Sequence, residues 1–90
     1  MDSESQELRD RVQHNLVGFL GNELDLGFAF SETAKIESAM RNQEHFEISR
    51  EHAREALRSF DYYKNRIVNA EIRRELQERA HELEKVIASL

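Results

Sequence analysis

Three observations predict an all-α fold. The chain has no proline in 90 residues, so no residue type forces a helix to stop. Apolar side chains recur at steps of three and four along most of its length. The positions between them are dominated by Glu, Arg, Leu and Ala, all good helix formers. These features predict one domain over residues 1–90. Its architecture is an antiparallel bundle of three to four helices, approximately 5–20, 23–41, 44–65 and 70–89. A chain this short buries only roughly 60–65% of its unfolded surface, so its core is thin and a second subunit would help it.

The first element opens after residues 1–4, which are expected to fray. Ser3 or Ser5 suits an N-cap, and Glu4 and Glu7 suit the positive end of a helix. Leu8, Val12, Leu16, Phe19 and Leu20 then form a helical stripe. Gly21-Asn22 is the expected break, with Gly21 as a left-handed C-cap and Asn22 as the next N-cap. The rival is one long helix through to Arg41, because Leu26, Ala29, Thr33, Ile36 and Met40 nearly continue the stripe. Gly18, Gly21 and Gly27 argue for the break, since each costs about 1 kcal/mol against alanine inside a helix.

The next helix is expected to run to a polar turn at Arg41-Asn42-Gln43. The helix after that turn carries an inward stripe of Phe46, Ser49, Ala53, Ala56, Phe60, Tyr63 and Ile67. Ser49, Ala53 and Ala56 are small, and small residues at helical spacing let two backbones approach closely. Val68-Asn69 makes the second turn, with Asn69 as N-cap. The last helix carries Ile72, Leu76, Ala80, Leu83, Val86, Ile87 and Leu90. Connections this short make consecutive helices antiparallel.

Phe46-Glu47-x-Ser49 followed by Ala53 and Ala56-Leu57 resembles the second helix of a tetratricopeptide-repeat hairpin. Leu26-Gly27-x-x-Phe30 resembles the first-helix pattern of the same family. Joining the two patterns makes the first helix several residues longer than the family's unit, and no tandem copy follows. Ile72-Arg73-x-x-Leu76-x-x-Arg79-Ala80-x-x-Leu83 is similar to the third helix of the microtubule-interacting-and-trafficking domain. Both resemblances imply a bundle built round a close-packed hairpin, a peptide or helix as partner, and no catalysis.

Composition removes several function classes. Net charge is −5, which disfavours a general nucleic-acid binder needing surplus Lys and Arg. The charge is uneven: residues 1–42 sum to −4, residues 43–66 to zero and residues 67–90 to −1. The absence of cysteine excludes disulfides, zinc-thiolate sites and thiol catalysis. No apolar run approaches a membrane span, and the opening MDSESQELRDR is unlike a secretory signal. A cytoplasmic location is the resulting expectation.

The side chains that carry chemistry do not assemble into a catalytic pattern. Ser31, Thr33, Ser38, Ser49 and Ser59 have no glycine-rich elbow or oxyanion loop beside them. His45 and His52 share a helix face, and Glu78-x-x-His81 has the spacing used in di-metal bundles. That pattern occurs once where such sites need two, so a metal- or ligand-binding bundle is the alternative reading. The principal expectation is a noncatalytic interaction or structural module, without a cofactor, that binds protein or peptide and self-associates.

Its partner surface is expected among side chains that the inward stripes leave over. Phe28 and Phe30 diverge by about 200° on a helix, as do adjacent residues such as Tyr62 and Tyr63 by about 100°. Leu24 and Ile48 lie off the main stripes. Arg50, Arg54 and Arg58 form a row suited to carboxylates, beside a row of Glu47, Glu51 and Glu55 that can neutralise it at i,i+3. The candidate partner-binding set is therefore Leu24, Phe28, Ile48, Arg50, Arg54, Arg58 and Tyr62.

Overall fold

A computed structural model describes residues 3–90. Helix α1 spans Ser3–Ala39, α2 spans Gln43–Tyr63 and α3 spans Ala70–Ala88. A short 3-10 turn, Lys64–Arg66, precedes the extended link between α2 and α3. No strand occurs among the described residues. The molecule is a rod measuring 60 × 18 × 16 Å.

The expected break at Gly21-Asn22 is absent, and α1 runs through it as one helix of 37 residues. Continuity follows from the core. Leu20 and Leu24 flank the proposed break, are four residues apart, and are both fully buried in one cluster. Only an unbroken helix keeps both on the same face. Their burial, worth about 1.5–3 kcal/mol each, outweighs the glycine cost of about 1 kcal/mol. No glycine adopts a positive φ, so none acts as a cap, and Asn22 lies exposed within the helix. Ser3 and Glu4 are helical rather than frayed. The expectation for residues 1 and 2 lies outside the described residues.

The hairpin closes with an arginine where glycine is usual. Arg41 has φ 59°, its amide donates to Ser38 O at 3.0 Å, and Asn42 N donates to Glu37 O at 2.8 Å. These are the two bonds of a Schellman end, which satisfies the last carbonyls of α1. Asn42 then caps α2, its Oδ1 accepting from His45 N at 3.3 Å. Asn69 caps α3 as expected, accepting from Ile72 N at 3.0 Å.

Packing along the hairpin uses a seam of alternating steps of three and four. On α1 the buried residues are Leu20, Leu24, Gly27, Ser31 and Ala34; on α2 they are Phe46, Ser49, Ala53, Ala56 and Phe60. This 3.5-residue period is that of a left-handed helix pair. Contacts between Glu37 and Ser49, Phe30 and His52, and Phe19 and Tyr63 show the two helices antiparallel over most of α2. Helix α3 runs parallel to α1, pairing Arg79 with Asp25 and laying Leu83 against Gly27. Leu83 is fully buried, as are Ile67 and Phe60 to within 1%.

The foot of the bundle is fastened by one amide. Gln13 Nε2 donates to Arg66 O and Gln13 Oε1 accepts from Val68 N, each at 2.9 Å. Arg73 Nη1 donates to Ile67 O at 2.9 Å. Both side chains satisfy backbone groups of the link that no helix can pair. Beyond Gln13, every residue from 3 to 12 is exposed, so α1 overhangs the bundle by about 15 Å.

Two predictions follow from this packing. A Cβ at Gly27 would collide with Leu83 Cδ2 and lie 3.2 Å from Ala56 Cβ, whereas one at Gly18 meets nothing within 4 Å. Gly18→Ala is expected to gain up to about 1 kcal/mol from helix propensity. Gly27→Ala is expected to lose about 1 kcal/mol net, because overpacking at about 1–3 kcal/mol exceeds the propensity gain. Thermal denaturation should show opposite shifts of roughly 4–8 °C per kcal/mol. Separately, Gln13→Leu should cost about 1–2 kcal/mol and speed exchange of the Val68 amide, read by hydrogen–deuterium exchange.

Candidate interaction surface

The expected partner residues separate into three environments. Leu24 is fully buried in the core and offers nothing outward, which corrects its place in the candidate set. It lies on the packing seam because α1 is continuous, so the register of residues 20–34 is not reset at Asn22. Phe28 is half-buried beside α3, in a shallow cleft with Glu75, Glu78, Arg79 and Glu82. Ile48 and Tyr62 are exposed, at 50% and 69%.

The arginine row is engaged by its own helix. Arg50 pairs with Glu47 and lies over the Phe46 ring, 5.1 Å from its centroid. Arg58 hydrogen-bonds Glu51 seven residues earlier, and Arg54 stands exposed beside the same carboxylate. The hydrogen bond from Arg58, with the positive field of Arg58, Arg54 and Arg50, holds the Glu51 carboxyl below its ordinary range. These exposed pairs neutralise the row and stabilise the helix only slightly.

Several other polar groups are also occupied locally. Glu37 Oε1 accepts from Ser49 Oγ at 2.6 Å, with the His45 ring 3.8 Å from Oε2. That Oε2 atom is buried without a hydrogen bond, a cost set against the close approach of α1 and α2. His52 stacks on Phe30 at 4.8 Å and faces Glu55 at 3.4 Å. A cleft of about 440 Å³ at the foot of the bundle is lined by Asp10, Gln13, His14, Val17, Ile67 and Val68, among others. Its amide is already used by the α2–α3 link. Among the described residues, no three of His, Asp and Glu converge as a metal site. No helix among them is long and apolar enough to cross a membrane.

One exposed apolar surface is a face that the single-stripe reading of α1 did not separate. The apolar residues of α1 divide between two faces. Leu16, Val17, Leu20 and Leu24 point inward. Leu8, Val12, Phe19, Leu26, Ile36 and Met40 point out and are 45–72% exposed. At 100° per residue the outward row lies roughly 130° round the helix from the packing seam. With the exposed Asn15, Asn22, Ala29 and Thr33 it forms a ladder stepping four and three from Leu8 to Met40. The signal for it was present in Val12, Phe19, Leu26 and Met40, which fall on one spacing of seven. Phe19 extends the face sideways, edge-on to Tyr63 at 5.9 Å, and Tyr63 meets Tyr62 at 4.7 Å. Arg66 lies over both tyrosines at 5.6 and 5.1 Å.

Comparison with models of protein families, with curated proteins and with solved structures finds no match to this chain.

The Glu51 pairing has a testable sign. A depressed carboxyl contributes to stability above its unfolded pKa and loses that contribution as pH falls through the folded value. Arg58→Gln should therefore move the Glu51 titration back up towards the ordinary carboxylate range. Side-chain carboxyl NMR titration of the two proteins checks it.

Proposed function

We propose that this chain is a noncatalytic interaction module that works through the outward face of α1. The observation that carries the reading is the row Leu8, Val12, Phe19, Leu26, Ile36 and Met40, exposed along a helix whose opposite side is already packed. Single exposed apolar residues are ordinary, but six aligned on one face of a helix, spaced by Asn15, Asn22, Ala29 and Thr33, point to a surface that another chain covers. Its steps of three and four fit the side of a second helix. Ile48 and Tyr62 flank the row from α2, and the self-neutralised arginines form a polar rim. The hairpin's likeness to a tetratricopeptide-repeat unit agrees with helix or peptide binding. The net charge of −5 favours protein over nucleic acid, and the cysteine-free composition suits the cytoplasm.

A photoreactive benzophenone side chain at Leu26 tests the reading in cells making the full chain. It should form a covalent adduct with a polypeptide, and the same group at the exposed Glu84 of α3 should not. Val12→Glu with Ile36→Glu should abolish the adduct while the helical circular dichroism and melting temperature stay within a few degrees, as exposed substitutions usually do. Only uncrosslinked chain from Leu26 would overturn the reading.

A further inference from the structure

We propose that the chain covering this face is a second copy of the same protein, laid antiparallel along α1. The proposal rests on the interaction reading above and names its partner. Three properties of the face support it.

The first is area. A strip about 10 Å wide along about 50 Å of α1 is roughly 500 Å² per copy, which reaches the ~1,000 Å² total of a specific interface. Nothing else on the chain offers an apolar ladder of that length, so α1 is its own best complement among the described residues.

The second is side-chain matching. When the ladder is reversed about residue 24, Leu8 meets Met40 of the second copy and Val12 meets Ile36. Asn15 meets Thr33, Phe19 meets Ala29, and Asn22 meets Leu26. Apolar layers close both ends, two of the three polar residues share a layer, the third, Asn22, lies against Leu26 beside the two-fold axis, and the largest ring faces the smallest side chain. The pairing also uses the whole row. A shift by one heptad places Leu8 on Thr33 and leaves Ile36 and Met40 uncovered.

The third is charge. The positions flanking the ladder are Arg9 and Arg11 near its start, then Glu23, Asp25, Glu32 and Glu37. Antiparallel pairing brings the end carrying Arg9 and Arg11 to the end of the second copy carrying Glu32, twice by symmetry, while Glu37 stays engaged by Ser49 of its own chain. Parallel pairing sets the two Glu32 ends side by side. Glu23 meets itself near the two-fold axis, one unfavourable contact of like charges. Asp25, also near the axis, is already paired with Arg79. The arrangement gives the overhang of residues 3–12 a neighbour, because it lies along the hairpin end of the other copy.

The experiment uses the purified full chain, whose lack of native cysteine makes introduced thiols unambiguous. Light scattering after size exclusion should give twice the 10.6 kDa chain mass at micromolar concentration. Leu26→Glu should weaken self-association at least 100-fold while helical content is unchanged. Val12→Cys and Ile36→Cys, mixed and mildly oxidised, should give a disulfide-linked heterodimer. Each alone should stay unlinked, because like positions lie about 36 Å apart in the antiparallel pair. Linking of each variant to itself overturns the antiparallel arrangement. A folded monomer at hundreds of micromolar overturns the second copy as occupant. If the Leu26 probe then captures a different polypeptide, the interaction reading survives and only this inference falls. If it captures nothing, both fall.

Discussion

The close approach of α1 and α2 is the constraint on which the rest of the structure depends. Gly27, Ser31 and Ala34 face Ser49, Ala53 and Ala56, and all six are buried. With so little side chain between them, the two backbones carry the hairpin while leaving α3 to close only one side. Leu83 of α3 fills the space left by the missing Cβ of Gly27, which joins the third helix to the same seam. The hydroxyl of Ser31 is satisfied within its own helix, donating to Gly27 O at 2.9 Å, so burying it leaves no unpaired group. The same crowding explains why Glu37 Oε2 is shut away from both water and donors.

Narrow packing has a consequence for surface. Two helices in close contact and a third laid across one side cover a limited arc of α1. The helix is 37 residues long, whereas α2 and α3 have 21 and 19, so much of its length and its whole far side stay in solvent. A helix with apolar residues on opposite sides ordinarily has neighbours on both. Here the chain provides neighbours for one side. The interaction reading is a statement about that imbalance, and the catalytic and metal chemistries have no comparable feature. His52 contacts Phe30 and Glu55, His45 faces Glu37, and Arg50 and Arg58 of α2 are paired with glutamates of the same helix.

Helix class, the Asn69 cap and the inward stripes of α2 and α3 were legible from residue spacing alone. Phe46, Ser49, Ala53, Ala56, Phe60 and Ile67 are all buried as their period implied, and Leu76, Ala80, Leu83 and Ile87 likewise. These elements follow from local rules: a side chain's direction on a helix depends only on its number, and Asn caps act within three residues. The arginine turn was less legible, because Arg41 occupies a left-handed conformation that its residue type does not favour.

For α1 local rules gave the wrong preference. Three glycines in ten residues outweigh helix propensity when the segment is considered alone, and a break at Asn22 follows. Burial of Leu20 and Leu24 in one cluster reverses that balance, and this depends on Phe60, Leu76 and Leu83, which lie 36 or more residues away along the chain. Continuity then decides which of the apolar residues face inward, so it removed Leu24 from the candidate surface and put Phe19, Leu26, Ile36 and Met40 on it. Residue order was sufficient for the helices of α2 and α3, whose signals are short-range. The unbroken α1 and its free face came from packing, because a helix with two apolar sides does not say which one the rest of its chain will reach.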